Sequence, residues 1–290
     1  MKINLTSGTL HITVADRGAE LTSVKSVADN TEFIWQADPE IWGRHAPVLF
    51  PIVGKLKNDT YRLGGKEYKL GQHGFARDCR FAVVGQTDNS LTFELNESEE
   101  TLDAFPFRFV LNVTYTLTGN RLEVGYAVNN PADTDLLFSI GGHPGFRCPI
   151  DDTESFSDYY IEFDHAETVG RRLVRDGLFR GLEPCYLNGQ KTIELNAELF
   201  KEDALVFDNL RSDKLELRSR TGNHSITFEF PGFPYLGIWT KYGSDRFICI
   251  EPWYGLADTE TFGGDFSQKE GIQRLGPDRT FRCKYGMTFV

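Results

Sequence analysis

The sequence predicts an all-β protein, a large antiparallel β-sandwich formed as a single domain over residues 1–290, with few short helices. Three observations carry that prediction. Apolar and polar residues alternate with period two along much of the chain, the mark of half-buried strands. The alternating runs come in pairs joined by Gly- and Asn-containing turns, the mark of hairpins. No amphipathic pattern of helical length separates successive strands, which excludes a βαβ sheet.

The elements follow in order. Tyr61-Arg62-Leu63 and Tyr68-Lys69-Leu70 flank Gly64-Gly65 as a first hairpin. Val83-Val84 and Leu91, Phe93 and Leu95 flank Asp88-Asn89 as a second. Val113, Tyr115 and Leu117 alternate with threonines, then Gly119-Asn120 turns the chain into Leu122, Val124, Tyr126 and Val128. Leu215 and Leu217 pair with Ile226, Phe228 and Phe230 across Thr221-Gly222-Asn223. Residues 97–105 form a short helix stopped by Pro106, because proline cannot continue a helical ladder. Residues 196–201 make another turn or two, and residues 151–158 form a polar surface loop.

Composition narrows the function. With 40% hydrophobic and 25% charged residues, the chain is an ordinary globular one with apolar residues enough for a large core. Its formal net charge of −11 gives it no electrostatic reason to bind nucleic acid or an anionic membrane. The N-terminus, Met1-Lys2-Ile3-Asn4-Leu5, lacks the apolar core of a signal peptide, and no run is long enough for a membrane helix. Five dispersed cysteines without a C-x-x-C pair fit a reducing cytoplasm better than a disulfide scaffold. The G-x-S-x-G, G-x-x-x-x-G-K-[ST] and G-x-G-x-x-G motifs are missing, which argues against an α/β-hydrolase, a P-loop enzyme and a Rossmann dehydrogenase. No local spacing of ligands supports a metal site.

What remains is a set of separated segments that place functional groups beside turns. His143 lies in Gly141-Gly142-His143-Pro144-Gly145, where the glycines leave room for a ligand or another backbone. A turn histidine that only bonds backbone is the plainer explanation. His73, in Gln72-His73-Gly74-Phe75-Ala76-Arg77, has the same two explanations. Arg77 either pairs with a surface carboxylate or holds an anionic substrate group. Glu251 continues the apolar run Phe247-Ile248-Cys249-Ile250 and precedes Pro252-Trp253. A carboxylate there is costly unless it is paired or has work to do, and desolvation would raise its pKa toward that of a useful base. Arg44, beside Trp42, suits sugar stacking with hydroxyl hydrogen bonding, or a cation–π surface pair. Asp203 and Asp208 flank an apolar strand, and either could bind hydroxyls. His11, His165 and His224 lie in polar surroundings without a specific role.

Taken in order, the segments at 44–54, 73–77, 142–146 and 236–253 resemble those of the aldose 1-epimerase (galactose mutarotase-like) superfamily, nearest its LacX-like branch. The resemblance spans residues 40–260. It implies a large antiparallel β-sandwich with a sugar groove on one sheet. It also implies a cofactor-independent epimerase that needs neither a metal nor an organic cofactor. By the same resemblance, His143 matches the general acid and Glu251 the general base. His73 matches a histidine near the sugar ring oxygen, Arg44 a substrate arginine and Asp203 the substrate-binding aspartate. Two features depart from the mutarotases proper. Gly141-Gly142 precede the acid histidine where those enzymes have Asn, and His-Gly-Phe-Ala-Arg resembles the hexose-6-phosphate epimerase branch. There Arg77, with Arg44, would face a phosphate. The partner expected is thus a small-molecule sugar or sugar phosphate. A non-catalytic sugar-binding protein, or a β-sandwich accessory domain of a glycoside hydrolase or lyase, are the alternatives; the acid/base pair favours the enzyme.

Overall fold

The computed structural model describes residues 1–196 and 198–290. The four anticipated hairpins form in antiparallel register. Thr60–Leu63 pairs with Lys66–Lys69, and Ala82–Gln86 with Ser90–Asn96. Val110–Thr118 pairs with Arg121–Asn129, and Lys214–Ser219 with Ser225–Glu229. The alternation explains why: Leu111, Val113, Tyr115 and Leu117 are buried while the residues between them are half-buried or exposed. The short helix spans Glu99–Ala104, capped by the Ser98 hydroxyl and ended before Pro106. Of the expected turn at 196–201, residues 198–202 do turn, and residue 197 lies outside the described residues.

Hydrogen bonding links fifteen strands into one sheet, and a three-stranded sheet covers its flank. The large sheet begins with Val48–Leu49, Ile140–Gly142, Phe247–Tyr254, Tyr235–Trp239 and Leu205–Asp208, and ends at Ala82–Gln86. It bends back over itself into a sandwich. Gly142, near its start, lies so close to Tyr285 of Thr280–Phe289 that an added Cβ would stand 2.9 Å from the ring. Phe50 and Phe109, beside strands near opposite ends of the path, pack with centroids 5.0 Å apart and ring planes tilted by 59°. Residues on the two inner faces interdigitate into one apolar core, as sheet-on-sheet packing requires. The N-terminal sheet of Lys2–Thr6, Leu10–Ala15 and Glu20–Ser26 is fastened by the buried Tyr115 hydroxyl, which donates to Ala19 O at 2.6 Å.

One large element was not anticipated. Tyr159–Arg175 and Leu178–Glu194 form a hairpin of two 17-residue strands around Asp176-Gly177, both at positive φ. Buried residues alternate only as far as Phe163; beyond it the arm is half-exposed, and bulges break its register. Salt bridges hold the arm down: Arg172 to Asp208 and Glu270, and Arg175 to Glu260. Its tip therefore lies over the site-forming strands. No helix among the described residues is long and apolar enough to cross a membrane, and the five cysteines are free.

Candidate active site

A cavity of about 550 Å³ opens on the face made by the first strands of the large sheet. That is within the range of small-molecule sites. Its floor is Glu251 and His143, and its walls include His73, Asp203 and the indoles of Trp42 and Trp253.

Glu251 lies in Phe247–Tyr254, paired with Gly237 of the neighbouring strand. The alternation of a strand turns Cys249, Glu251 and Trp253 to the same side. Glycine at 237 is required for space: a Cβ there would stand 2.6 Å from the Trp253 ring. Glycine at 141 serves the same ring, 2.7 Å from where its Cβ would be. The room predicted at Gly141-Gly142 is thus filled by the side chains of Trp253 and Tyr285, not by a ligand.

His143 sits in the two-residue link between Ile140–Gly142 and Gly145–Arg147. Its ring stacks on Trp42 at 4.9 Å, and Trp42 in turn lies parallel to Phe247 at 5.3 Å. Stacking fixes the imidazole against the sheet. The His143 Nε2 stands 3.2 Å from Glu251 Oε2. That contact has the distance of a hydrogen bond without its alignment, so Oε2 is buried with no hydrogen-bond partner, as is His143 Nδ1. Buried polar atoms are seldom left so in a native fold, and an exception asks for a ligand or a chemical role. Glu251 is 2% and His143 8% exposed.

Burial sets the charge of the pair. It pushes the Glu251 carboxyl well above the usual carboxylate range, and the nearby Asp203 carboxylate adds to the shift. It pulls His143 down to about 3, with the positive charge of Arg77 adding to the shift and a backbone hydrogen bond opposing it. Both shifts favour the uncharged forms, a carboxyl that keeps its proton beside a neutral imidazole.

His73 approaches His143 edge-on, ring centroids 5.4 Å apart. Its φ is +65°, and Gly74 follows at +70°, where a Cβ would strike Phe50 O at 2.4 Å. The His-Gly step thus brings the loop against the 48–54 segment. Gly54 N–H donates to His73 Nδ1 at 3.1 Å, which leaves the ring proton on Nε2. Burial, with His143 and Arg77 near, holds His73 neutral. Its Nε2 stands 3.3 Å from the side-chain amide of Gln72, which also lines the cavity.

The two aspartates separate clearly. Asp208 is held by Arg172 through three hydrogen bonds and does not line the cavity. Asp203 lines it, at φ +71°, and accepts from Ala204 N–H at 2.8 Å; burial raises its pKa. Arg77 also lines the cavity, its Nη2 donating to Gln72 O at 2.7 Å and its buried Nε, without a hydrogen bond, 3.8 Å from Asp78 Oδ2. Arg44 is not brought to the cavity wall. It pairs with Asp78 at 2.5 Å and donates to Arg77 O at 3.3 Å, so it supports the Arg77 loop from behind. Phe179 and Gly177 at the arm's tip, Trp239, Lys201, Lys241 and Tyr242 line the cavity too, and none of them stands out in the sequence as a site residue. Asp176-Gly177 was the available signal for the tip, being a strong hairpin dipeptide.

The aldose 1-epimerase family profile matches residues 1–271. The chain is 34% identical over its full length, and over the full length of the relative, to the chromosomal protein LacX of Lactococcus lactis subsp. lactis. Among solved structures it is similar to a galactose mutarotase related enzyme from Lactobacillus acidophilus. That match has a TM-score of 0.95 and 41% identity, covering 100% of this chain and 97% of the other. A galactose mutarotase-like protein from Lactobacillus casei ATCC 334 is similar at a TM-score of 0.93 and 34% identity, with both chains fully covered.

Proposed function

The chain belongs to the aldose 1-epimerase family, and on that premise we propose that it interconverts the α and β anomers of a hexose, with Glu251 as base and His143 as acid. The observation that carries this reading is the buried Glu251 Oε2, unpartnered and 3.2 Å from an imidazole nitrogen at the floor of a sugar-sized cavity.

The pair's single proton gives the chemistry. A sugar hydroxyl donating to Glu251 Oε2 would stabilise the carboxylate and move the pair's proton to His143. Glu251 then takes the proton from the anomeric hydroxyl as the C1–O5 bond breaks. The bonding electrons go to O5, which takes the proton from His143, leaving an open-chain aldehyde. Rotation about C1–C2 presents the other carbonyl face, and the same two groups run the steps backward. His73 Nε2–H would steady a substrate oxygen during opening, and Asp203 would accept from ring hydroxyls. Each acid/base group is worth about 10²–10⁴-fold.

Two expected results follow from the geometry. Asp203→Ala should lower kcat/KM by about 10–100-fold, the worth of hydrogen bonds to a charged or partly buried acceptor. Saturation kinetics of anomer interconversion would show it, and an unchanged value would remove Asp203 from the site. The acid limb of the kcat/KM pH profile should not fall at the ordinary imidazole value of about 6.5. The acid limb should instead be displaced toward about 3, where the pair gains a second proton. An acid limb near 6.5 would mean that His143 is solvated in the free protein.

A phosphorylated sugar is the second reading, favoured by the cations Arg77, Lys201 and Lys241 on the same cavity. One-dimensional NMR of freshly dissolved α-glucose, α-galactose and glucose 6-phosphate, with and without protein, tests both. Faster equilibration of a free hexose supports the first reading. Acceleration of the phosphate alone moves the substrate to the second. No acceleration of any sugar contradicts both.

A further inference from the structure

Cys249 takes no part in the proton transfers above, yet the strand carries it to the same spot. It lies two residues before Glu251, on the same side of Phe247–Tyr254. Its sulfur, a carboxylate oxygen of Glu251 and an imidazole nitrogen of His143 lie within 4.8 Å of one another. All three residues are buried, and the thiol is enclosed by Trp35, Phe247, Trp42 and Trp239. No local spacing in the sequence announces this cluster, because His143 arrives from a distant strand link.

Two further observations point to an ion. Glu251 Oε2 is buried without a hydrogen-bond partner, and the residue is 98% buried on the cavity floor. The separation of 3.2 Å between His143 Nε2 and Glu251 Oε2 is close to what one tetrahedral centre imposes. With metal–N and metal–O bonds of about 2.0–2.1 Å, two such ligands stand roughly 3.3–3.4 Å apart. A thiolate beside an imidazole selects zinc-like, thiophilic ions over magnesium or calcium.

We propose that His143, Cys249 and Glu251 form a three-ligand site for a thiophilic divalent cation, Zn²⁺ or Cd²⁺, whose binding silences the acid/base pair. The ion takes the thiolate, the neutral imidazole and the carboxylate. It therefore releases two protons to solvent, one from the thiol and one from the pair. No bond other than those S–H and pair protons breaks, and no oxidant is involved. Loss of turnover rests on the function proposed above; the binding itself does not.

Reduced full-length protein titrated with Co²⁺, as a spectroscopic stand-in for Zn²⁺, tests the site. Expected are a thiolate-to-cobalt charge-transfer absorption and tetrahedral visible bands that saturate at one equivalent. Both should vanish in Cys249→Ser, whose side chain is nearly the same size, and in Cys249→Ala should the serine variant not fold. His143→Asn should weaken Co²⁺ by about tenfold or more. Cys249→Ser should retain sugar turnover and require at least about tenfold more Zn²⁺ for inhibition. A charge-transfer band that survives in a natively melting Cys249 variant would place the ion on Cys185 or Cys79 and overturn the site. Absence of the band from the unaltered protein would overturn it equally. If the unaltered protein turns over no sugar, the functional reading fails, while the absorption still decides the metal site.

Discussion

Replacing Glu251 with Gln is expected to slow anomer interconversion by about 10²–10⁴-fold while leaving the protein folded and no less stable. Gln keeps the shape and removes the proton acceptor. The carboxyl is buried, and one oxygen has no hydrogen-bond partner, so little native bonding is lost. Linkage gives the sign for stability. Burial raises the folded-state pKa above its unfolded value. The stability this group contributes is thus fully present at pH below about 4.5 and falls as pH rises through the folded value. An uncharged Gln escapes that loss, so the variant should melt at the same or a higher temperature at neutral pH. Such a trade of stability for activity is common at active sites. His143→Asn should give a loss of similar size. Full activity in either variant would remove that residue from the chemistry.

Lys269→Met is expected to cost about 3–5 kcal/mol, lowering the melting temperature by roughly 6–20 °C. Lys269 and Asp258 are 3% and 4% exposed, and Nζ donates to Asp258 Oδ1 at 2.7 Å. Removing one member strands the other as a buried charge. The position magnifies the effect. Asp258 Oδ2 accepts from Lys57 N–H at 2.9 Å, Asp258 N–H donates to Lys55 O at 2.8 Å, and Asp258 O accepts from Phe179 N–H at 2.9 Å. One aspartate therefore joins the 54–57 segment, the arm's tip and the end of the Glu251 strand. Adding Asp258→Asn to the methionine variant should recover much of the loss, because no charge remains buried. Calorimetry or circular dichroism would measure both. A melting temperature within about 2 °C of the parent would show that the pair contributes little.

These two residues mark how far the sequence could be read. Glu251 stood out because a carboxylate inside Phe247-Ile248-Cys249-Ile250 has no cheap structural explanation. Lys269 did not, because its partner comes from a separate loop and nothing local marks either as buried. The four short hairpins were legible through their period-two pattern and turn residues. The long arm was not, because past Phe163 buried residues become sparse and the period-two alternation disappears. His143 and His73 were legible as turn histidines, but their meeting at 5.4 Å depends on the pairing of strands far apart in sequence. Asp203 and Asp208 looked alike until Arg172, from that unanticipated arm, took Asp208. Arg44 looked like a cavity residue beside Trp42, yet only the tryptophan reaches the cavity. Their side chains diverge because Asp78 holds the arginine.

The most direct test of the central claim is magnetisation exchange between the α and β anomeric protons of an equilibrated hexose, measured by NMR at neutral pH. At equilibrium no net reaction occurs, so the exchange rate reports ring opening and closing alone. The unaltered protein should produce exchange cross-peaks in proportion to its concentration, and Glu251→Gln and His143→Asn should each abolish nearly all of them. Exchange no faster than in buffer, from a protein that still binds the sugar, would contradict the account and leave a sugar-binding protein on this fold.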